Sequence, residues 1–410
     1  MQNHISRSCH WLASKNHYLL NEHEPRPWPE NKNLNPIKWK MTLMKISTSR
    51  IAFALSLALS CSMTHAATVY TGDKVQGIPV ISTLDVADLT AGQHRFMFEG
   101  VETGTGQRWY VPIMVAKGKT DGKKVLLQAG VHGDELNGVR IVQKVMEQLD
   151  PATMKGSVIG IIGPNRSGLE RVSRTWSVST DGGETIDYNR VHPGKETGNS
   201  AERQAWMMWN KVYKGNVDLA IDYHTQSTGT AYPLFIYADY RNADARTIAE
   251  LFPADQIKKD PGEAGSMETT FIQNGIPAIT AETGEPRIYQ QDMIARGLEG
   301  ALNVLIHYKV IEGKIGATAS SNKTYIGNAI SSIRATTGGF AEVFVKPGDT
   351  VKAGQEVAVQ RNAFGDVVAK YSAERDGKVL SIGTDVVREP RALLVRVLEQ
   401  NPAATCKDGC

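Results

Sequence analysis

Cysteine is scarce in this sequence: 410 residues hold four, Cys9, Cys61, Cys406 and Cys410. That scarcity excludes a disulfide-stapled scaffold and a cysteine-walled zinc site across the body of the chain. Long apolar runs are missing as well. The most apolar stretch, Ile51 to Leu59, falls far short of the ~20 residues that cross a bilayer as a helix, so no transmembrane segment is expected. Neither sign of charge dominates, with 46 Lys and Arg against 43 Asp and Glu. Eight of those bases and three of those acids lie in residues 1–66, which leaves 38 bases and 40 acids beyond. A chain so balanced offers no field for nucleic acid or an anionic membrane, and neither is expected as a partner. Neither a Gly-x-x-x-x-Gly-Lys-Ser/Thr loop nor a Gly-x-Gly-x-x-Gly turn occurs, so a nucleotide cofactor has no support.

What is present begins with a leader. Residues 41–66 read as a secretory signal: Lys45 and Arg50 supply its charge, Ile51 to Leu59 its apolar run, and Thr64-His65-Ala66 a small-residue cleavage site. Residues 1–66 are therefore assigned to the leader, with Met41 or Met44 as the functional start and a mature chain from Ala67. The expected compartment is the periplasm. Lipidation at Cys61 is the competing reading, but Ala58 stands where a lipoprotein signal usually has Leu. At the other end, residues 401–410 form a tail in which Cys406 and Cys410 either close a small terminal staple or stay free.

Between these ends the pattern changes once. From 124 to 310, apolar runs such as Lys124–Gly130, Ser157–Gly163, Val217–Tyr223, Pro233–Ala238 and Ile276–Ala281 alternate with amphipathic stretches at Glu135–Leu149, Ser200–Lys211, Asn242–Leu251 and Tyr289–Tyr308. Strands interleaved with helices predict an α/β domain over 67–310, its sheet mixed but largely parallel and helix-covered on both faces. Residues 311–400 turn to short strands with Gly and Pro turns, a small β-domain. Gly339 to Gln355 resembles the hammerhead fold of lipoyl and biotinyl domains, without the Met-Lys-Met hairpin that would carry a modifiable lysine.

The sharpest chemical signal is Gly130-Val131-His132-Gly133-Asp134-Glu135, where the first strand gives way to a helix. At the start of a helix, His132 and Glu135, three apart, would share a face and grip one ion. A surface histidine beside a helix-start glutamate is the plainer alternative. A third donor, His224, ends the strand Val217–Tyr223. Together the three would make a His₂Glu zinc site, one Zn²⁺ per chain, with a position open for water.

These pieces, with Gly163-Pro164-Asn165, Asp187-Tyr188-Asn189-Arg190, Asp222-Tyr223-His224 and Thr280-Ala281-Glu282-Thr283-Gly284, occur in the order found in the succinylglutamate desuccinylase/aspartoacylase family, relatives of the zinc carboxypeptidases. The chain resembles that family over roughly residues 95–310. Tyr188 and His192 depart from its pattern, where Leu and an aromatic residue are usual. The resemblance implies that Asn189 and Arg190 hold a substrate carboxylate, that Arg174 polarises the scissile carbonyl, with Arg171 the competing assignment, and that Glu282 is the general base, with Glu285 its decoy. The expectation is an exported zinc hydrolase for the amide or ester bond of an N-acylated amino acid or small peptide bearing a carboxylate. A carboxypeptidase-like enzyme for peptidoglycan peptides and a non-catalytic zinc or ligand binder on the same fold are the alternatives.

Overall fold

A computed structural model of the chain describes residues 67–179 and 182–404. The leader, Cys61, Cys406 and Cys410 lie outside the described residues. Among those described, no helix is long and apolar enough to cross a membrane.

Period-two alternation in the central strands builds two cores at once. Along Thr120–Ala129, Val125 and Leu127 enter one core with helices Asn137–Gln148, Ala243–Glu250 and Gln291–His307. Leu126 enters the other, with helices Ser200–Met208 and Met267–Gln273. Helices therefore cover both faces of an 11-stranded sheet. Its parallel centre runs Lys155–Ile162, Thr120–Ala129, Leu219–His224, Ala278–Thr283. Leu234–Ala238 joins that centre antiparallel, followed by Gln256–Lys259 and Tyr325–Gly327. On the opposite flank lie Arg108–Lys117, Gly92–Glu102, Ile78–Thr83 and Val69–Val75, a mixed extension that the sequence reading had not resolved into strands.

One local expectation is corrected. The helix predicted from Glu135 starts at Asn137, so His132 and Glu135 stand in the turn before it and not on a helical face. Gly130 adopts φ +83, and a Cβ on Gly133 would lie 2.0 Å from the carbonyl carbon of Gly168. The chain must turn sharply and press against the Gly168 backbone before a helix can begin. The turn is held by Glu135 N–H donating to the His132 carbonyl at 3.3 Å.

The C-terminal strands form two further sheets. Ala329–Arg334, Leu393–Glu399 and Gly377–Gly383 make one, and Gly339–Val343, Glu356–Arg361, Val367–Ser372 and Val387–Arg388 the other. Val351, Val357, Tyr371, Val379, Leu394, Val395 and Val397 fill the space between them. The first sheet recruits a strand from the α/β region, Thr230–Ala231, which pairs with Gly383 and Ile382. Beside it Tyr232 and Phe235 bury their rings against Leu380 and Leu398. The C-terminal module thus sits directly on the segment that follows His224.

Candidate active site

Three donors meet at the carboxyl ends of two parallel strands. His132 and Glu135 follow Thr120–Ala129, and His224 ends the neighbouring Leu219–His224. All three are buried, and their ligand atoms lie within 4.8 Å of one another. His132 Nδ1 is 3.0 Å from Glu135 Oε1, His224 Nδ1 is 2.7 Å from Glu135 Oε2, and the two Nδ1 atoms are 3.1 Å apart. The remaining ring nitrogens turn outward to carboxylates: His132 Nε2 to Asp187 Oδ1 at 3.0 Å and His224 Nε2 to Asp222 Oδ2 at 2.9 Å. This is the carboxylate–histidine arrangement that fixes the tautomer and leaves the inner nitrogen free to donate to a metal.

The donor set fits a divalent cation. Burial opposes ionisation of Glu135, but His132 and His224 outweigh it and hold the carboxyl well below the usual range. His224 is likewise buried, yet Asp222 and Glu135 raise its pKa well above that of a free imidazole. One carboxylate and two imidazole nitrogens turned on one point suit a positive charge there. Part of it comes from Arg174, whose Nη1 lies 3.1 Å from both His132 Nδ1 and Glu135 Oε1 and 2.8 Å from Ser227 Oγ. Arg174 Nη2 is anchored by Asp187 Oδ2 at 3.0 Å. Desolvation works against the guanidinium, but Glu135, Asp187 and Glu282 keep it firmly protonated. Of the two arginines in play, Arg174 enters the cavity and Arg171 is exposed at the end of helix Arg166–Arg171.

Glu282 comes from the next strand. It pairs in register with His224 in the parallel ladder and lines the same cavity of about 630 Å³. Its carboxyl is buried and Oε2 has no hydrogen-bond partner among the described residues. Burial, aided by Glu135 and Asp222 against the pull of His224 and Arg174, pushes its pKa up to about 8. Glu285 instead belongs to a neighbouring cavity, where its backbone N–H bonds Gln290 Oε1 at 2.7 Å.

Asn189 and Arg190 also reach the cavity wall. Both are already engaged: Asn189 Oδ1 accepts from Met267 N–H at 2.8 Å, and Arg190 Nη2 pairs with Glu263 Oε2 at 2.5 Å. The two departures from the family pattern sit just behind. Tyr188 stacks on Trp176 with centroids 5.6 Å apart, and His192 meets the Tyr188 ring edge-on at 5.0 Å. His192 is buried with neither ring nitrogen partnered among the described residues, and burial lowers its pKa to about 4.

Sequence reasoning gave no role to several residues in and around the cavity. Asp222 had a legible signal, because two residues before His224 on a strand is the same face. Asp187 stood in a quoted motif with nothing to show that it orients His132. Glu268, Tyr232 and Arg396 carried no local signal. The loop after His224 is held from two sides: Thr228 Oγ1 donates to Asp134 Oδ2 at 2.6 Å, and Gln226 Nε2 to Ser381 Oγ at 3.1 Å.

The α/β domain thus holds a buried His₂Glu cluster at its strand ends, a donor set able to hold a metal ion, beneath a β-module. Residues 121–308 match the family model described as the succinylglutamate desuccinylase/aspartoacylase catalytic domain. The N-alpha-acetyl-L-2,4-diaminobutyric acid deacetylase of Halomonas elongata is 26% identical over 280 residues, 65% of this chain and 79% of the relative. A succinylglutamate desuccinylase of Pseudomonas aeruginosa is also 26% identical, over 208 residues, 46% of this chain and 59% of that protein. Two solved structures share the fold. The product-bound ectoine utilization protein EutE (DoeB) of Ruegeria pomeroyi superposes with a TM-score of 0.69 at 20% identity, covering 78% of this chain and 98% of that one. A succinylglutamate desuccinylase/aspartoacylase from Rhodobacter sphaeroides gives 0.67 at 21% identity with the same coverages.

Proposed function

We propose that this chain is an exported, periplasmic, zinc-dependent deacylase that hydrolyses the amide bond of N-acylated amino acids bearing a carboxylate. The observation that carries the reading is Glu282: a buried carboxyl with an unpartnered oxygen and a raised pKa, beside His224 and in one cavity with His132. Such a group has nothing to stabilise within the fold and is suited to moving a proton. The relatives named above act on small acylated amino acids, which favours that substrate class over cell-wall peptides. The signal at 41–66 supports export.

In this reading His132, Glu135 and His224 hold the zinc, which when bound lowers the pKa of a water and polarises the scissile carbonyl. Asp187 and Asp222 fix the two imidazoles with their inner nitrogens toward the ion. Glu282 takes a proton from the attacking water as the new C–O bond forms, then delivers it to the leaving nitrogen as the C–N bond breaks. Arg174 supports the negative charge that develops on the carbonyl oxygen, anchored meanwhile by Asp187. Asn189 and Arg190 shape the wall beside the substrate.

The test is elemental analysis of the chain from Ala67, beside a His132→Ala/His224→Ala double variant, with acid release followed from N-acetyl-L-2,4-diaminobutyrate and N-succinyl-L-glutamate. The expected result is about one zinc per chain, lost together with turnover in the double variant. A wild type that takes up no metal when zinc is supplied would sink the proposal.

A further inference from the structure

Four arginine and lysine side chains line the cavity, and three are matched. Arg174 meets Glu135 and Asp187, Arg190 meets Glu263, and Lys258 Nζ lies 3.1 Å from Asp260 Oδ1. The fourth, Arg396, comes from the C-terminal module, on strand Leu393–Glu399. It is half-buried, and its side chain donates to a neutral acceptor, the Tyr232 hydroxyl, at 3.0 Å. Among the described residues no carboxylate pairs with it. A guanidinium drawn into a cavity loses hydration that a lone phenol does not replace.

Its surroundings fix its position. Tyr232 is buried against Phe235, Leu380 and Leu398, and its hydroxyl lies 3.2 Å from that of Tyr237. Ser332 and Ser381 are the cross-strand neighbours of Arg396, and Ser332 also lines the cavity. Glu282 opens into the same space and influences both tyrosines electrostatically. An anchored arginine fork without a counter-charge, in the cavity that holds the reacting groups, is complementary to one planar anion.

We propose that Arg396 binds the carboxylate of the substrate's amino-acid part, so that the C-terminal module selects the substrate while the α/β domain supplies the chemistry. The inference rests on the deacylase reading for the reaction it serves. It moves the carboxylate anchor away from Arg190, whose guanidinium Glu263 already neutralises.

Binding and turnover together separate the two ideas. Calorimetric titration of the zinc-loaded protein with L-2,4-diaminobutyrate, the amino-acid part that has no acyl bond left to hydrolyse, and with its carboxamide reads carboxylate recognition whether or not turnover occurs. The wild type should prefer the carboxylate by about 30-fold or more, the worth of a charge-assisted bidentate contact. Arg396→Gln should bring that preference close to one and raise KM for the carboxylate substrate with kcat little changed. Arg396→Lys, which keeps the charge, should recover part of it and shows that a correctly folded module is being read. An undiminished preference in Arg396→Gln overturns the proposal, as does its loss in Arg190→Gln but not in Arg396→Gln, or its absence from the wild type. A wild type that shows the preference but releases no acid leaves Arg396 as a carboxylate anchor and sinks only the deacylase reading.

Discussion

Replacing Glu282 by Gln should cost activity and increase stability, and the size of the gain follows from burial. The ordinary carboxyl value is 4.5, and the folded chain pushes it up to about 8. In the unfolded chain the group ionises near 4.5, while in the folded chain it keeps its proton until about 8. Folding therefore binds a proton between those limits, and stability falls as pH rises through them. At pH 7 the window already crossed is about 2.5 units, worth about 3 kcal/mol at ~1.4 kcal/mol per unit, and above pH 8 it reaches about 5 kcal/mol. Glutamine keeps the shape of the protonated acid and never ionises. Glu282→Gln should then be more stable than the wild type by about 3 kcal/mol at pH 7, with the difference vanishing toward pH 4.5. The assay is urea unfolding of the metal-free proteins from pH 5 to 9, because a bound cation would itself favour the carboxylate. Zinc-loaded Glu282→Gln should meanwhile lose about 10²–10⁴ in kcat, the range expected for a missing general base. Equal unfolding midpoints across that pH range would refute the argument that burial holds the proton on Glu282, and undiminished turnover would refute its role as base.

Two further outcomes are expected. Burial without partners lowers His192 to about 4 from 6.5, so the unfolded chain binds a proton first as pH falls, and the wild type should lose about 3 kcal/mol between pH 6.5 and 4 from this group. His192→Phe should flatten that part of the acid limb in urea unfolding at pH 7 and 4.5, and an unchanged slope would show that His192 is not held neutral. Arg174→Gln should lower kcat by about 10²–10³ in a steady-state assay of acid release, whereas the exposed Arg171→Gln should stay within about two-fold. Equal losses in the two would mean that Arg174 acts only through the general charge of the loop.

Much of this was legible along the chain because the α/β region is written in local signals. The buried centre of the sheet is a set of uninterrupted apolar runs, and the helix Ser200–Met208 starts at an Asn199–Glu202 capping box that fixes its first residue. The clustering of His132, Glu135 and His224 was legible because each lies at or just beyond the end of such a run. What failed was the geometry of the His132–Glu135 turn, since three-residue spacing is shared by helices and by turns, and only the contact of Gly133 with the distant Gly168 backbone decides between them. The strands between Val69 and Lys117 alternate too weakly at the exposed edge, where Val69 and Tyr70 face solvent, to have been read as part of the same sheet. Arg396 could not have been found at all. Its meaning depends on a wall that forms only when residues 164 positions apart, Tyr232 and Arg396, are brought together.

The strand exchange at Thr230–Ala231 has a consequence for how such a protein can diversify. Gly229 receives bonds from both Arg388 and Thr384, so the segment leaving His224 is moulded by residues far downstream. A chain cut near residue 310 would bare the Phe235 and Tyr232 rings and leave that segment without its mould. Variation confined to Ile330, Ser332 and Arg396, which reach the cavity from the C-terminal strands, touches none of the residues at the reacting centre. Under the reading proposed above, chemistry and selectivity would be encoded on separate stretches of one polypeptide, so that substitutions in the second could change what is bound and leave the His132–Glu135–His224 cluster as it is.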